Sequence, residues 1–266
     1  MSQFSLYIVA SAVLALAFLV WHARPDSAIN RSFAMFTLFV ALWALGVASF
    51  QGGANLDFWG RFAFATASVI PASFLAFARQ YPTPDGWPST RTVRLNFTIA
   101  AVFAVISMTT RLVVSGTSLS PEGPTRETGP LYLFFGIYFI LAWLSALAVL
   151  SAKWRQARGL ARVQIHYLAL GFVVGSAGGI STNLLLPLVA GYAAYSWIGP
   201  HFALVFVATV AHAIIRHRLM DVRLVIHRGL TLTLALAVSL VPVVALLAMA
   251  WPRLSDHLNP EELVAL

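Results

Sequence analysis

Residues 211–228, which read AHAIIRHRLMDVRLVIHR, decide the fold of this 266-residue chain because a long apolar stretch lies on either side of them. Four arginines and two of the three histidines, His217 and His227, alternate there with apolar side chains. This mixture is typical of a segment that lies at a membrane surface. We call residues 211–228 the basic collar and interpret it as the connection between a membrane bundle and the cytoplasmic side. The alternative interpretation is that its charges only fix the orientation of the neighbouring spans.

The composition of the whole chain is that of a membrane protein. Hydrophobic residues make up 59% of it and charged residues 10%, with a mean hydropathy of +0.82, which excludes an ordinary soluble domain. We predict an all-α polytopic bundle of seven transmembrane helices plus an eighth, because each apolar segment is long enough to cross a bilayer. The predicted spans are 4–21, 32–50, 57–79, 95–114, 131–151, 167–189, 197–215 and 230–251.

Basic residues are distributed unevenly among the loops. The loops after the first, third, fifth and seventh spans hold 13 of the 17 lysines and arginines, if Arg79 at the end of the third span is counted with its loop. This asymmetry predicts that the N-terminus lies outside and that these four loops, including the collar, are cytoplasmic. It also argues against nucleic-acid binding, because the positive charge forms neither one face nor one run.

The sequence predicts three regions. Residues 1–229 form the seven-span domain with its collar, residues 230–251 the additional transmembrane helix, and residues 252–266 a tail in which a further helix begins. The tail reads NPEE at 259–262, which is a helix-start signal. We therefore expect the chain to be a fragment of a longer protein.

The apolar spans carry little chemistry. There is no cysteine, and the single lysine, Lys153, is predicted to lie in a loop, so a retinal-type Schiff base inside the bundle is not expected. His201 and His212 are eleven positions apart on one predicted helix and cannot share a metal ion, although His166 and His212 both lie near the inner boundary. No acidic residue falls in the core of a span. We predict no catalytic residue, no metal site and no cofactor.

Polar and kinking residues concentrate in the outer half of the predicted bundle. Pro71 removes a backbone hydrogen bond from the third span and predicts a kink. The outer half of the fifth span is rich in aromatic residues, including Tyr138. Asn183 ends the small-residue run 175–183, where it either joins neighbouring helices or contacts a ligand. Residues 115–130 are predicted to form an outer loop.

The order of several motifs resembles that of a known family, the N-terminal seven-transmembrane sensor region of bacterial histidine kinases. The resemblance covers about residues 5–228 and departs from the simplest pattern of the family in the eighth span. The motif residues are Asn30, Trp43, FWGRF at 58–62, Pro71, Phe74, Leu75, Phe77, Tyr81, Pro82, Arg162, Gln164, Tyr167, Asn183, Pro187, Pro200, Ala213, Ile214, His217, Arg218, Leu219 and Asp221.

The resemblance implies a sensory input domain in the bacterial plasma membrane that relays a small or lipophilic signal to a cytosolic kinase or other output of the same polypeptide, and it implies a homodimer. Kinase activity itself is not expected in these residues, and a small-solute transporter is the alternative function. The candidate ligand-binding residues are Pro71, Phe74, Tyr138, Asn183, Pro187, Pro200 and His201. The candidate relay residues are Arg216, His217, Arg218, Asp221 and Arg228.

Overall fold

Apolar stretches of about twenty residues form helices, because a helix satisfies every backbone hydrogen bond within one segment. The computed structural model describes residues 2–84, 86–120, 123–190 and 195–217. The predicted eighth span, the tail and the collar beyond residue 217 lie outside the described residues. The helices of the described part are α1 (Ser2–Ala23), α2 (Ala28–Gln51), α3 (Leu56–Gln80), α4 (Thr90–Thr109), α5 (Tyr132–Gln156), α6 (Gly159–Ile180), α7 (Leu186–Ala190) and α8 (Phe202–His217).

The described helices confirm the predicted helical membrane bundle. Six of them, counting α6 and its continuation to residue 189 as one, are long and apolar enough to cross a membrane, and a shorter apolar helix covers Gly199–Ala213. A π-helical turn, Ser181–Leu185, joins α6 to α7, and a 3-10 turn, Gly199–His201, precedes α8. Helix α3 is central, since it packs against α2, α4 and α5.

Residues 115–130, the predicted outer loop, contain regular structure. They fold mainly into an antiparallel hairpin of β1 (Val114–Ser120) and β2 (Gly123–Thr128). The Thr117 hydroxyl donates a hydrogen bond of 2.6 Å to Asp57 at the start of α3, which fixes the hairpin to the bundle. Side chains alternate across a strand, so Arg126 of β2 is buried against the helices and Glu127 is exposed. We call this end of the bundle the hairpin side.

Helix α6 presents glycines to α8, as expected of the small-residue run. A Cβ atom added at Gly178 would lie 2.0 Å from Cδ2 of Phe202, and one added at Gly171 would lie 2.2 Å from Oγ1 of Thr209. The two helices therefore approach more closely than any side chain on these α6 positions would allow. The π-helical turn follows directly after this contact.

The prediction that Lys153 lies in a loop is wrong. The residue lies inside α5, where it is 7% exposed. Its Nζ donates hydrogen bonds to the carbonyl oxygens of Arg79, Tyr81 and Thr83, at 2.7, 3.0 and 3.0 Å. These carbonyls belong to the end of α3 and the segment after it. Lys153 thus ties α5 to α3 on the side opposite the hairpin.

Candidate functional site

A cavity of about 90 Å³ lies inside the bundle, between α2, α3, α5, α6 and α8 and below β2. Its wall is almost entirely apolar and aromatic, which is typical of a pocket for a small ligand. The wall also includes Arg126 and Asn183. The remaining lining residues are Phe36, Val40, Trp43, Ala63, Phe64, Ala67, Ile70, Phe135, Phe139, Trp143, Gly171, Phe172, Gly175, Ser176, Gly179, Ile180, Leu184, Ala203 and Phe206.

Three phenylalanines from three helices meet at one end of the cavity. The ring centroids of Phe36 and Phe172 are 5.1 Å apart, those of Phe172 and Phe206 are 5.0 Å apart, and those of Phe36 and Phe206 are 5.6 Å apart. Such separations fall in the range of favourable aromatic pairs. This aromatic cluster joins α2, α6 and α8. Displacement of a ring on the cavity wall therefore alters the packing of α8 directly.

Arg126 reaches the cavity from β2 and is only 3% exposed. Its Nη2 donates a hydrogen bond of 2.9 Å to Oδ1 of Asn183. Its Cζ lies over the rings of Phe64 and Phe50, at 4.8 and 5.6 Å from their centroids, which is cation–π distance. Burial lowers the pKa of Arg126 to about 10, with Tyr132 acting in the opposite direction, so the guanidinium is a cation at neutral pH.

Asn183 is held on every side within the π-helical turn. Its Nδ2 donates hydrogen bonds of 3.0 Å to the Ser196 carbonyl and to the Thr182 hydroxyl. The Tyr132 hydroxyl lies 3.0 Å from the carbonyl oxygens of both Asn183 and Leu184 and donates to them. Short π-helical segments occur frequently at functional sites. Here the turn orients the Asn183 amide oxygen towards the Arg126 guanidinium.

Pro71 lies behind the cavity wall rather than in it. It is buried inside α3 and has no N–H, so it cannot donate to the carbonyl of Ala67 four residues earlier. Ala67 itself lines the cavity. The predicted effect of the proline, a gap in the hydrogen bonding of the third span, thus falls at the cavity wall.

The structure brings only part of the predicted ligand-binding set to the cavity. Asn183 lines it, and Phe74 packs directly behind it, with ring centroids 4.5 Å from Trp143 and 4.0 Å from Phe172. Tyr138 instead donates a hydrogen bond of 2.9 Å to the carbonyl of Ser68.

The other predicted residues lie on the hairpin side or at the end of α8. Pro187 is buried on α7 and Pro200 in the 3-10 turn. Beside it, the Nε2 of His201 is 2.9 Å from the Ser5 hydroxyl. Of the relay residues, Arg216 and His217 end α8, whereas the remaining three lie outside the described residues. Among the described residues, no cluster of three or more histidines and acids is arranged to hold a metal ion.

Arg126, the one cation among the described residues of the cavity wall, was not among the site residues predicted from the sequence. The signal that was available is the alternation in β2, where Pro124 and Arg126 share the buried face.

Comparison with known families gives one match. A model of the family described as the N-terminal 7TM region of histidine kinase covers residues 5–223. No curated protein and no solved structure matches the chain.

Proposed function

The chain belongs to the family of N-terminal seven-transmembrane regions of histidine kinases, and from this premise we propose that its central cavity receives the signal that the domain senses. Family membership supports the coarser role, a membrane-embedded sensory domain of a histidine kinase. The observation that carries the finer proposal is the position of the cavity, which is lined by both the hairpin-side residues and α8.

Helix α8 is the element through which the occupied cavity would act. Ala203 and Phe206 of α8 line the cavity, and the same helix ends at His217, inside the basic collar. Phe206 packs against Phe36 and Phe172, so an occupant that displaces this ring displaces α8. A ligand that fits one position of α8 better than another shifts the balance between the two.

The glycine face of α6 supports this relay. Because Gly171 and Gly178 have no side chains, Thr209 and Phe202 of α8 pack directly against the α6 backbone, so a displacement of α8 changes this contact. Helix shifts of about 1–2 Å are the usual size of such signalling movements. The remaining relay would run through Arg218, Asp221 and Arg228 of the collar.

The proposal includes the orientation and partners that the sequence indicates. The N-terminus and the hairpin lie outside, the collar lies in the cytoplasm of a bacterium, and the domain forms a homodimer joined to a cytosolic kinase or other output of the same polypeptide. The lipid bilayer is the second partner. With this orientation the cavity lies in the outer half of the bundle.

The test measures the movement of α8. The chain has no cysteine, so Ala208→Cys on α8 and Ser151→Cys on α5, both exposed positions, give one pair of spin labels in each protomer. Butyrate and butyramide serve as probes because both are small enough for the cavity. With the full chain in lipid nanodiscs, either probe at saturation is expected to change the distance between the two spin labels by about 1–2 Å.

An unchanged distance, while calorimetry shows that either probe is bound, would refute the sensory proposal. Probe flux across proteoliposomes above that of protein-free vesicles would instead favour the alternative, a small-solute transporter. A sensor predicts no such flux.

A further inference from the structure

We propose that the cavity selects a short-chain carboxylate, whose anionic head group binds Arg126 and whose aliphatic chain lies among the aromatic side chains. This inference rests on the proposed function, since it names the chemical class of the signal for the same cavity. It is carried by the unused hydrogen-bonding capacity of Arg126, by the charges around it, and by the size and lining of the space in front of it.

Arg126 is a buried side chain with unused hydrogen-bond donors. A guanidinium carries five N–H donors, and Asn183 accepts one of them, from Nη2. Nε and Nη1 are fully buried and have no hydrogen-bond partner among the described residues. Buried donors are nearly always satisfied, so two unused nitrogens on one side chain at a cavity wall indicate an acceptor that binds there.

The charge of Arg126 is not balanced by the described part of the protein. The carboxylates of that part, Asp26, Asp57 and Glu127, are all exposed, and Arg126 makes no ion pair with them. Its polar neighbours, Asn183 and Tyr132, are neutral, and the Tyr132 hydroxyl is engaged with backbone carbonyls. Buried charges are normally paired, and an anionic ligand would supply the missing partner.

A carboxylate fits these donors better than other anions. Arginine binds carboxylates and phosphates through two parallel hydrogen bonds. A phosphate would bring about two negative charges, and the described cavity wall contains one cation. A carboxylate brings one. The amide oxygen of Asn183 accepts one N–H of Nη2, so a carboxylate bound through two parallel hydrogen bonds would take the second N–H of Nη2 together with that of Nε or Nη1.

The size of the cavity limits the chain attached to the head group. Its 90 Å³ accommodates about six to nine water-sized groups at the ~10–15 Å³ of cavity volume that one such group needs. The surrounding wall is aromatic and aliphatic apart from Arg126, Asn183 and Ser176. This size and lining favour a short acid such as butyrate, which has six non-hydrogen atoms.

The test compares butyrate with butyramide, which has the same shape but no charge. Calorimetric titration of the full chain in nanodiscs is expected to show butyrate binding about tenfold or more tightly, since hydrogen bonds to charged groups are the stronger ones. In Arg126→Gln this preference is expected to disappear, so that butyrate and butyramide bind about equally tightly. The control, Arg111→Gln, removes an exposed arginine of the same side and should leave the preference unchanged.

Equal binding of the two probes to the unaltered chain, or no binding of butyrate, would overturn the inference without reference to any variant. A preference that survives in a folded Arg126→Gln protein would also overturn it. The sensory proposal is judged separately, by the spin-label distance. If butyramide binds as tightly as butyrate and moves α8, the sensory proposal stands and the carboxylate inference fails. If butyrate binds more tightly but α8 does not move, the carboxylate inference stands and the sensory proposal fails.

Discussion

Replacement of Ala67 by leucine tests whether the cavity is the binding site. Ala67 lines the cavity from α3, and leucine would place three further carbon atoms in the space that butyrate would occupy. Burial of three further carbon groups stabilises the fold by roughly 2 kcal/mol at ~0.8 kcal/mol each. Imperfect fit costs about 1–3 kcal/mol. We therefore expect the free energy of unfolding to change little, while butyrate binding is lost.

The assay combines thermal unfolding with butyrate titration of the same nanodisc sample. The control is Ala101→Leu, which makes the same change at an exposed position of α4 and should leave both binding and stability unaltered. If Ala67→Leu binds butyrate as tightly as the unaltered chain, the cavity is not the site and the reasoning is refuted. Because the leucine variant is expected to be stable, unfolding does not explain a loss of binding.

Two further predictions concern the framework of the site. Lys153→Met removes three hydrogen bonds of a charged donor to carbonyls and is expected to lower the free energy of unfolding by about 2–4 kcal/mol. Thermal unfolding should show no such loss for Arg155→Met, at an exposed position of the same helix. Equal losses in the two variants would contradict the role of Lys153 in joining α5 to α3. Gly178→Ala forces a Cβ against Phe202, so the distance between the spin labels on α8 and α5 should increase without any probe. The control, Ala177→Ser at an exposed position, should not change this distance. An unchanged distance in both variants would contradict close packing of α6 against α8.

The spans were predictable because bilayer thickness fixes their length and apolar composition. Their ends were less so. Helix α4 begins at Thr90 rather than at the predicted residue 95, because Ser89 caps it by accepting a hydrogen bond of 3.2 Å from the backbone N–H of Thr92. The first turn is polar and carries Arg91 and Arg94, so a prediction based on hydropathy starts too late. Helix α6 also begins earlier than predicted, at Gly159 instead of residue 167, because its first turns carry the polar residues Arg162, Gln164 and His166.

The candidate site was predictable only where its chemistry lies inside a span. Asn183 was recognised because an amide within an apolar helix is conspicuous, whereas Arg126 was assigned to a loop. The strand that carries it is six residues long and contains Gly123 and Pro124, which are turn signals in sequence. Lys153 was misplaced for a related reason, since its basic neighbours resemble a cytoplasmic loop, while its three carbonyl acceptors come from a segment about 70 residues earlier.

The location of Arg126 on the hairpin has an energetic explanation. An arginine in the middle of a transmembrane helix costs several kcal/mol when that helix enters the bilayer. A hairpin between two spans carries its charge without burdening either of them, and then places it among the helices once the bundle has formed. The Phe64 and Phe50 rings and the Asn183 amide receive the guanidinium there. The bundle thus gains a buried cation beside an apolar cavity, although each spanning segment that surrounds the cavity keeps an uncharged core.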